Sequence, residues 1–288
     1  MYESFLELYC WKEKTMTVGK RKGFTLIELL VVIAIIAMLM AILVPTLRKA
    51  KELATSIPCL ANMRTISVAF FCYQSDNDGF LASSNAWFTP KEFCDGRIGY
   101  DWVACPMDED GYPCRNQADI KFEKNGIAQG VLWPYITEFS AYHCPADQRA
   151  SRVGVGFRSY SMVVGIHSEY GEWFKFEDTA IKMGDIENPS SKYIAVEESE
   201  GGTNISMSWW NMGSWVIDIY GEDWYDPVAG WHSWGSNLAF ADGHAIRMKW
   251  KDKRTREWLE SGGVKNPSGH EGSADMRYMV EHVARKGE

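Results

Sequence analysis

Three groups of residues have the types and spacing to do chemistry in this chain of 288 residues. The first is His232, which lies ten residues before Asp242-Gly243, with His244 just beyond. Imidazole and carboxylate are apt metal ligands, and a carboxylate can orient an imidazole for proton transfer. No His-Glu-x-x-His spacing and no second acid cluster accompanies them, and an Asp before a Gly already has a backbone reason to stand at a turn. A structural role for His232, Asp242 and Gly243 is the expected one, with metal ligation and catalysis as its alternatives. The second group is cysteine: Cys59, Cys72, Cys94, Cys105, Cys114 and Cys144 follow a lone Cys10. The third is a single carboxylate, Glu28, inside an apolar run from Phe24 to Val44.

The elements that carry these residues can be read from pattern. Phe24–Val44 is 21 residues long and polar only at Thr25 and Glu28. As an α-helix it would span about 30 Å, the thickness of a bilayer's hydrocarbon core. A cleaved secretory signal has a shorter apolar region and a small-x-small cleavage site, so a membrane anchor is the expectation. Lys12, Lys14, Lys20, Arg21 and Lys22 precede it and Arg48, Lys49 and Lys51 follow it, a bias that places the N-terminus inside. An anion in the first turn is tolerated by the helix dipole, yet an ionisable group in a membrane segment is a functional candidate with a partner to be found.

The segment "KGFTLIELLVVIAIIAML" resembles the N-terminal signature of type IV pilins and type II secretion pseudopilins. The resemblance implies cleavage between Gly23 and Phe24 by a prepilin peptidase and N-methylation of Phe24. It also implies an assembly contact in which Glu28 pairs with the N-terminal amine of a neighbouring subunit. Pro45 stands where the family tends to have a proline. Residues 1–22 are long and acidic for such a leader, and Met16, which gives "MTVGKRKG", is the expected start.

The family frame implies an α+β fold: a long, membrane-rooted N-terminal helix packed on a mainly antiparallel β-sheet head. The expected divisions are a leader (1–23), an anchor and assembly helix (24–45), its extension (46–79), an exported head (80–250) and a tail (251–288). Apolar residues at three- and four-residue steps continue the helix through Leu53, Ile57, Met63, Ile66 and Phe70. Pro45 and Pro58 are expected to bend or locally open it, and Gly79 to stop it. "RSYSMVVGI" (158–166) and "SKYIAVEES" (191–199) read as strands, and "GIAQGVLWPYI" as a short helix or packed loop. In "SNLAFADGHAIRMKW" (236–250), Asp242-Gly243 between alternating runs signals a two-residue hairpin turn. With His232 it makes an H-x9-DG pattern, and this resembles a C-terminal signature found with pilin-like leaders in large bacterial families. "CLANMRTISVAFFCYQSDNDGF" and "YHCPAD" are similar to other parts of those families.

Composition bears on what the exported part meets. Removing residues 1–23 takes five Lys/Arg from 30 and three Asp/Glu from 38, leaving 25 basic and 35 acidic side chains, a net of −10. Nucleic acid is not an expected partner, since phosphate contact needs clustered cations. Six cysteines in an exported domain suggest disulfides, with fifteen pairings open; zinc is the alternative, though no Cys-x-x-Cys pair occurs. Cys59 and Cys72, on one expected helix, are too far apart to bridge each other. "DNDG" (76–79) lacks the loop of a calcium site and reads as a helix stop. The Trp-rich stretch Trp209, Trp210, Trp215, Trp224, Trp231 and Trp234 reads as core or subunit interface rather than a stacking platform. After residue 250 a basic cluster and a Gly/Ser-rich stretch suggest a solvated, loosely docked tail.

The functional reading is a structural, non-enzymatic subunit of a type IV pilus or secretion pseudopilus. Its expected partners are identical or related subunits, the prepilin peptidase and the inner membrane, with the head exported. No catalytic residue, metal or cofactor is expected. The alternative is a membrane-tethered binding or hydrolytic head that uses the pilin export route.

Overall fold

The computed structural model describes residues 24–85, 100–112, 119–149, 156–167, 176–199, 213–221, 223–261 and 272–287. The leader, with Met16 and Gly23, lies outside them, as do Cys94, Cys114, Trp209 and Trp210. The chain divides into two compact units, residues 1–48 and 49–288, which are taken in turn.

Helix α1 (Leu26–Asp76) runs through that division. In the first unit its apolar side chains are exposed from Leu26 to Val44. Among the described residues it is the one helix long and apolar enough to cross a membrane. Pro45 lacks an N–H, yet the helix continues past it. The Thr46 hydroxyl donates to the Leu43 carbonyl (2.8 Å) and lies 3.3 Å from that of Ile42. Helix also runs through Pro58, so neither proline ends it.

In the second unit α1 becomes a core helix. Its buried stripe is Ser56, Cys59, Met63, Ile66, Ser67, Phe70 and Tyr73, residues three and four apart. The expected stripe began earlier, but Leu53 and Ile57 are exposed: docking starts at Ser56 and follows a face that includes two serines and a cysteine. Helix α1 ends at Asp76, followed by Asp78 and Gly79 with left-handed backbone; the Gly79 N–H closes the last turn on the Gln74 carbonyl at 2.8 Å.

Beside it lie helix α2 (Ile120–Ala128) and seven strands among the described residues: β1 (Tyr160–Val163), β2 (Tyr193–Glu197), β3 (Ser214–Trp215), β4 (Ile217–Asp218), β5 (Asp223–Trp224), β6 (Gly235–Phe240) and β7 (Ala245–Lys249). Five of them form a sheet of order β3-β1-β2-β6-β7, in which every pair is antiparallel except β1–β3. Strands β4 and β5 form a separate ribbon. The fold is α+β, a long apolar helix with a mainly antiparallel sheet. Strands β1, β2 and β6 are buried along their whole length, so both sheet faces are covered. Polar contacts help to fasten α1 within this unit: the Asn62 amide donates to the carbonyls of Ser140 and His143 (both 3.0 Å), and the Ser67 hydroxyl donates to the Phe240 carbonyl.

The β6–β7 hairpin differs in detail from its expected form. Its turn spans three residues, 241–243, not two. The Gly243 N–H returns to the Phe240 carbonyl (3.2 Å) and the Phe240 N–H reaches the His244 carbonyl (2.9 Å). Either common two-residue hairpin turn would need positive φ at Asp242, the first central residue, and of the pair only Gly243 has it, at 99°. The tail also departs from expectation. Helices Lys253–Glu260 and Ala274–His282 bury Trp258, Met276 and Met279. The Tyr193 hydroxyl and the Ala284 N–H tie that last segment to β2 through the Met279 and Tyr193 carbonyls (2.8 and 2.9 Å). Enough apolar side chains stand at helical spacing in 274–284 to dock it despite the Gly/Ser-rich stretch before it. Trp215, Trp224 and Trp250 are core residues, and Trp231 and Trp234 are half-buried.

Two measurements check this packing. Gly243→Val forces a β-branched residue into positive φ and should cost roughly 1–3 kcal/mol in urea unfolding; an unchanged midpoint would contradict the turn geometry. Burial lifts the Asp101 carboxyl from 3.8 to about 7, against a hydrogen bond from Ser83. A raised acid favours folding only while protonated, so stability is lost as pH rises from the unfolded value through 7. Asp101→Asn should therefore stabilise by roughly 1–3 kcal/mol at pH 8 and change little at pH 4. Equal effects at both pH values would refute the burial.

Candidate functional site

The N-terminal segment begins with a capping box. Thr25 precedes the first helical residue, and its Oγ1 accepts from the Glu28 N–H at 3.2 Å. The Glu28 carboxylate turns back and accepts from the Thr25 N–H and hydroxyl, both at 2.8 Å. The Ser/Thr-x-x-Glu spacing satisfies helix-end donors reciprocally, which gives Glu28 a local partner in its own chain. Phe24 is exposed beside it.

A second site lies wholly within the unit of residues 49–288. Cys59, Cys144, Glu197 and His232 are buried, and one ligand-type atom from each lies within 4.8 Å of all the others. Each comes from a different element. Helix α1 supplies Cys59, whose thiol also reaches the Thr55 carbonyl at 3.2 Å. The turn after a 3-10 helix, Phe139–Tyr142, supplies Cys144. That turn is fixed by β1-side residues: the Ser159 hydroxyl accepts from the Cys144 N–H (3.0 Å) and donates to Asp147 (2.7 Å), and Asp147 is held by Arg149. Glu197 ends β2. His232 sits just before β6, in a loop where Ser233 and Trp234 both take positive φ (52° and 59°). Two consecutive non-glycine residues there cost on the order of 1–3 kcal/mol each, so surrounding contacts must hold them. The Arg247 guanidinium does so by bonding the His232 carbonyl, and at Gly235 a Cβ would stand 2.6 Å from the Met248 carbonyl.

His232 Nε2 lies 3.1 Å from Glu197 Oε1 and 3.3 Å from Cys144 Sγ. Glu197 further accepts from the Asn237 N–H and side-chain amide, each at 2.8 Å. Burial pulls the imidazole down, but hydrogen bonds with Cys59 and Glu197 outweigh it and bring the ring up to about 9. The hydrogen bond with Cys144 draws the Cys59 thiol below the usual thiol range. Burial, then that same bond, pushes the Cys144 thiol up. Two sulfurs, an imidazole nitrogen and a carboxylate oxygen make a donor set that could hold a metal ion.

The structure thus parts residues that sequence spacing linked. The His232 ring does not reach the hairpin turn: His232 precedes β6, whereas Asp242 and Gly243 lie past its end, where the Asp242 carboxylate pairs with His244. No metal site forms from His232, Asp242 and His244 together among the groupings of the described residues. Cys59, Cys72 and Cys144 are thiols, against the expectation of disulfides; Cys59 and Cys144 face an imidazole and a carboxylate instead. Cys105 packs with Ala104 and Met107. Glu197 was not singled out by sequence. Its one signal was a carboxylate closing the apolar run Tyr193–Val196, and only β2–β6 pairing shows which side it faces.

Comparisons with known proteins bear on the first site. Residues 19–44 match the family model of the prokaryotic N-terminal methylation motif. This is the prepilin-type signature, and it contains Gly23, Phe24 and Glu28. The type IV wide pilus major component PilA4 of Thermus thermophilus is 43% identical over 65 residues, 23% of this chain and 50% of that one. The chain therefore spans about half the length of this curated relative. No solved structure matches.

Burial orders the thiols by reactivity. Alkylation of the native protein should label Cys72, which is half-buried, and leave Cys59 and Cys144, both with no exposed surface, unlabelled. Equal labelling of all three, read by peptide mass spectrometry, would contradict the packing around the cluster.

Proposed function

We propose that this chain is a structural subunit of a type IV pilus or a related secretion-type filament, not an enzyme. The observation that carries the proposal is the methylation motif at 19–44, leading into an exposed apolar helix. Similarity to a pilus major component supports it. In this reading a prepilin peptidase cuts between Gly23 and Phe24, and the new amine on Phe24 is methylated. The N-terminus faces the cytoplasm, the helix crosses the inner membrane, and the unit after Arg48 is exported. Subunits then assemble through their helices.

Glu28 is the assembly contact in this reading. An unpaired carboxylate in hydrocarbon costs several kcal/mol. In a single chain the Thr25 cap meets part of that cost. In a filament the Phe24 amine of a neighbour supplies the opposite charge. Cap and charge pairing can be separated by mutation. Glu28→Gln keeps an oxygen that can accept from Thr25 but loses the charge, and Thr25→Ala removes the hydroxyl but keeps it.

Partitioning between membrane and sheared-filament fractions, with cleavage followed in parallel, tests this. Glu28→Ala and Glu28→Gln should be inserted and cleaved yet fall at least tenfold in the filament fraction. Thr25→Ala should remain in filaments. Wild-type levels of both Glu28 variants in filaments would remove the assembly role.

A further inference from the structure

We propose that Cys59, Cys144, Glu197 and His232 form a closed, structural zinc site inside the head. The proposal goes beyond the filament reading and stands independently of it. Its ground is geometry. In a tetrahedral zinc site, Zn–S near 2.3 Å and Zn–N and Zn–O near 2.0–2.2 Å put neighbouring ligands about 3.4 Å apart for N and O and about 3.6 Å for N and S. The two corresponding separations here are 3.1 and 3.3 Å, within about 0.3 Å of those edges. The remaining pairs also lie within 4.8 Å. Four ligand-type atoms thus stand close enough together for one ion to reach all of them.

The donor set selects the metal. Two sulfurs with one imidazole and one carboxylate favour zinc over magnesium or calcium, which prefer oxygen alone. Four protein ligands leave no open position, which marks a structural rather than a catalytic site. The surroundings suit a bound ion. Asn237 donates to both carboxylate oxygens of Glu197, so that ligand is oriented from its outer side. Arg247 places a cation on the His232 carbonyl, beside a site whose two thiolates and carboxylate exceed the charge of the ion by one. His232 turns Nε2 to the cluster. Binding displaces whatever protons the two sulfurs and Nε2 carry, and zinc takes their place without any redox change.

The site also accounts for three sequence stretches that the filament reading leaves without a role. "CLANM" begins with Cys59, "YHCPAD" contains Cys144, and the H-x9-DG pattern starts at His232. Each delivers one ligand to the same point, and β2 adds Glu197. A zinc ion would thereby pin α1, the 139–147 segment, β2 and the loop before β6 to one another.

The test uses the full chain purified in detergent from zinc-replete cells, with zinc content measured by inductively coupled plasma mass spectrometry. About one zinc per chain is expected, with removal by a chelator lowering the Tm. Cobalt replacement of the wild-type protein should give the thiolate-to-metal charge-transfer and intense visible bands of a four-coordinate sulfur site. Cys59→Ser and Cys144→Ser should each lose the zinc. Glu197→Gln, closest in shape, should retain the fold and bind zinc more than tenfold more weakly. Wild-type protein that takes up neither zinc nor cobalt under reducing conditions overturns the proposal. So does a cobalt spectrum without thiolate bands, or a Cys59–Cys144 disulfide peptide in the protein as recovered from cells.

Discussion

Backbone amides must find partners where the side chains around them are apolar, and that constraint governs the first half of α1. From Leu29 to Val44 the side chains offer the backbone no partners, so the helix must satisfy itself. Its weak points are its start and Pro45. At the start the Thr25–Glu28 box reciprocally occupies helix-end groups; after Pro45 the Thr46 hydroxyl bonds into the carbonyls of the preceding turn. The polar side chains tolerated in and beside the apolar stretch are thus those that serve the helix backbone. Glu28 does so with a charge where a neutral side chain would suffice for capping, and that charge is what the proposed assembly contact would use.

From Ser56 on the same helix meets a protein core. Its stripe from Ser56 to Tyr73 packs into a head whose three central strands are buried throughout. Removing a side chain as polar as Glu197 from water costs free energy that only satisfied partners offset. Asn237 and His232 provide them, and Cys59 and Cys144 close the remaining sides. The polar centre therefore dictates local structure around it: the left-handed residues after His232, the glycine at 235 and the Ser159–Asp147–Arg149 contacts behind Cys144 all hold ligand-type atoms in place.

Much of the fold was legible because its signals are local. The apolar run, the strands at 158–166 and 191–199, the helix stop at Gly79 and a hairpin at Asp242-Gly243 each follow from short patterns. What escaped was long-range. Cys59 and Cys144 are 85 residues apart and His232 a further 88 on, so no spacing rule joins them. Cysteine count alone pointed to disulfides, and the ten-residue step from His232 to Asp242 suggested a common site, whereas β6 holds the two apart. The tail misled for a similar reason: its composition is polar on average, yet its few apolar residues share one face. The three-residue turn escaped because Asp-Gly serves both turn types, and which φ is positive is settled by the strands on either side.

The central claim is that this chain enters a filament as a processed pilin-type subunit, anchored by the helix that starts at Leu26. Intact-mass measurement of the protein recovered from cell-surface or membrane fractions tests it most directly. The account predicts a species that begins at Phe24 and carries one added methyl group. A mature, exported protein that retains residues before Phe24 would contradict it.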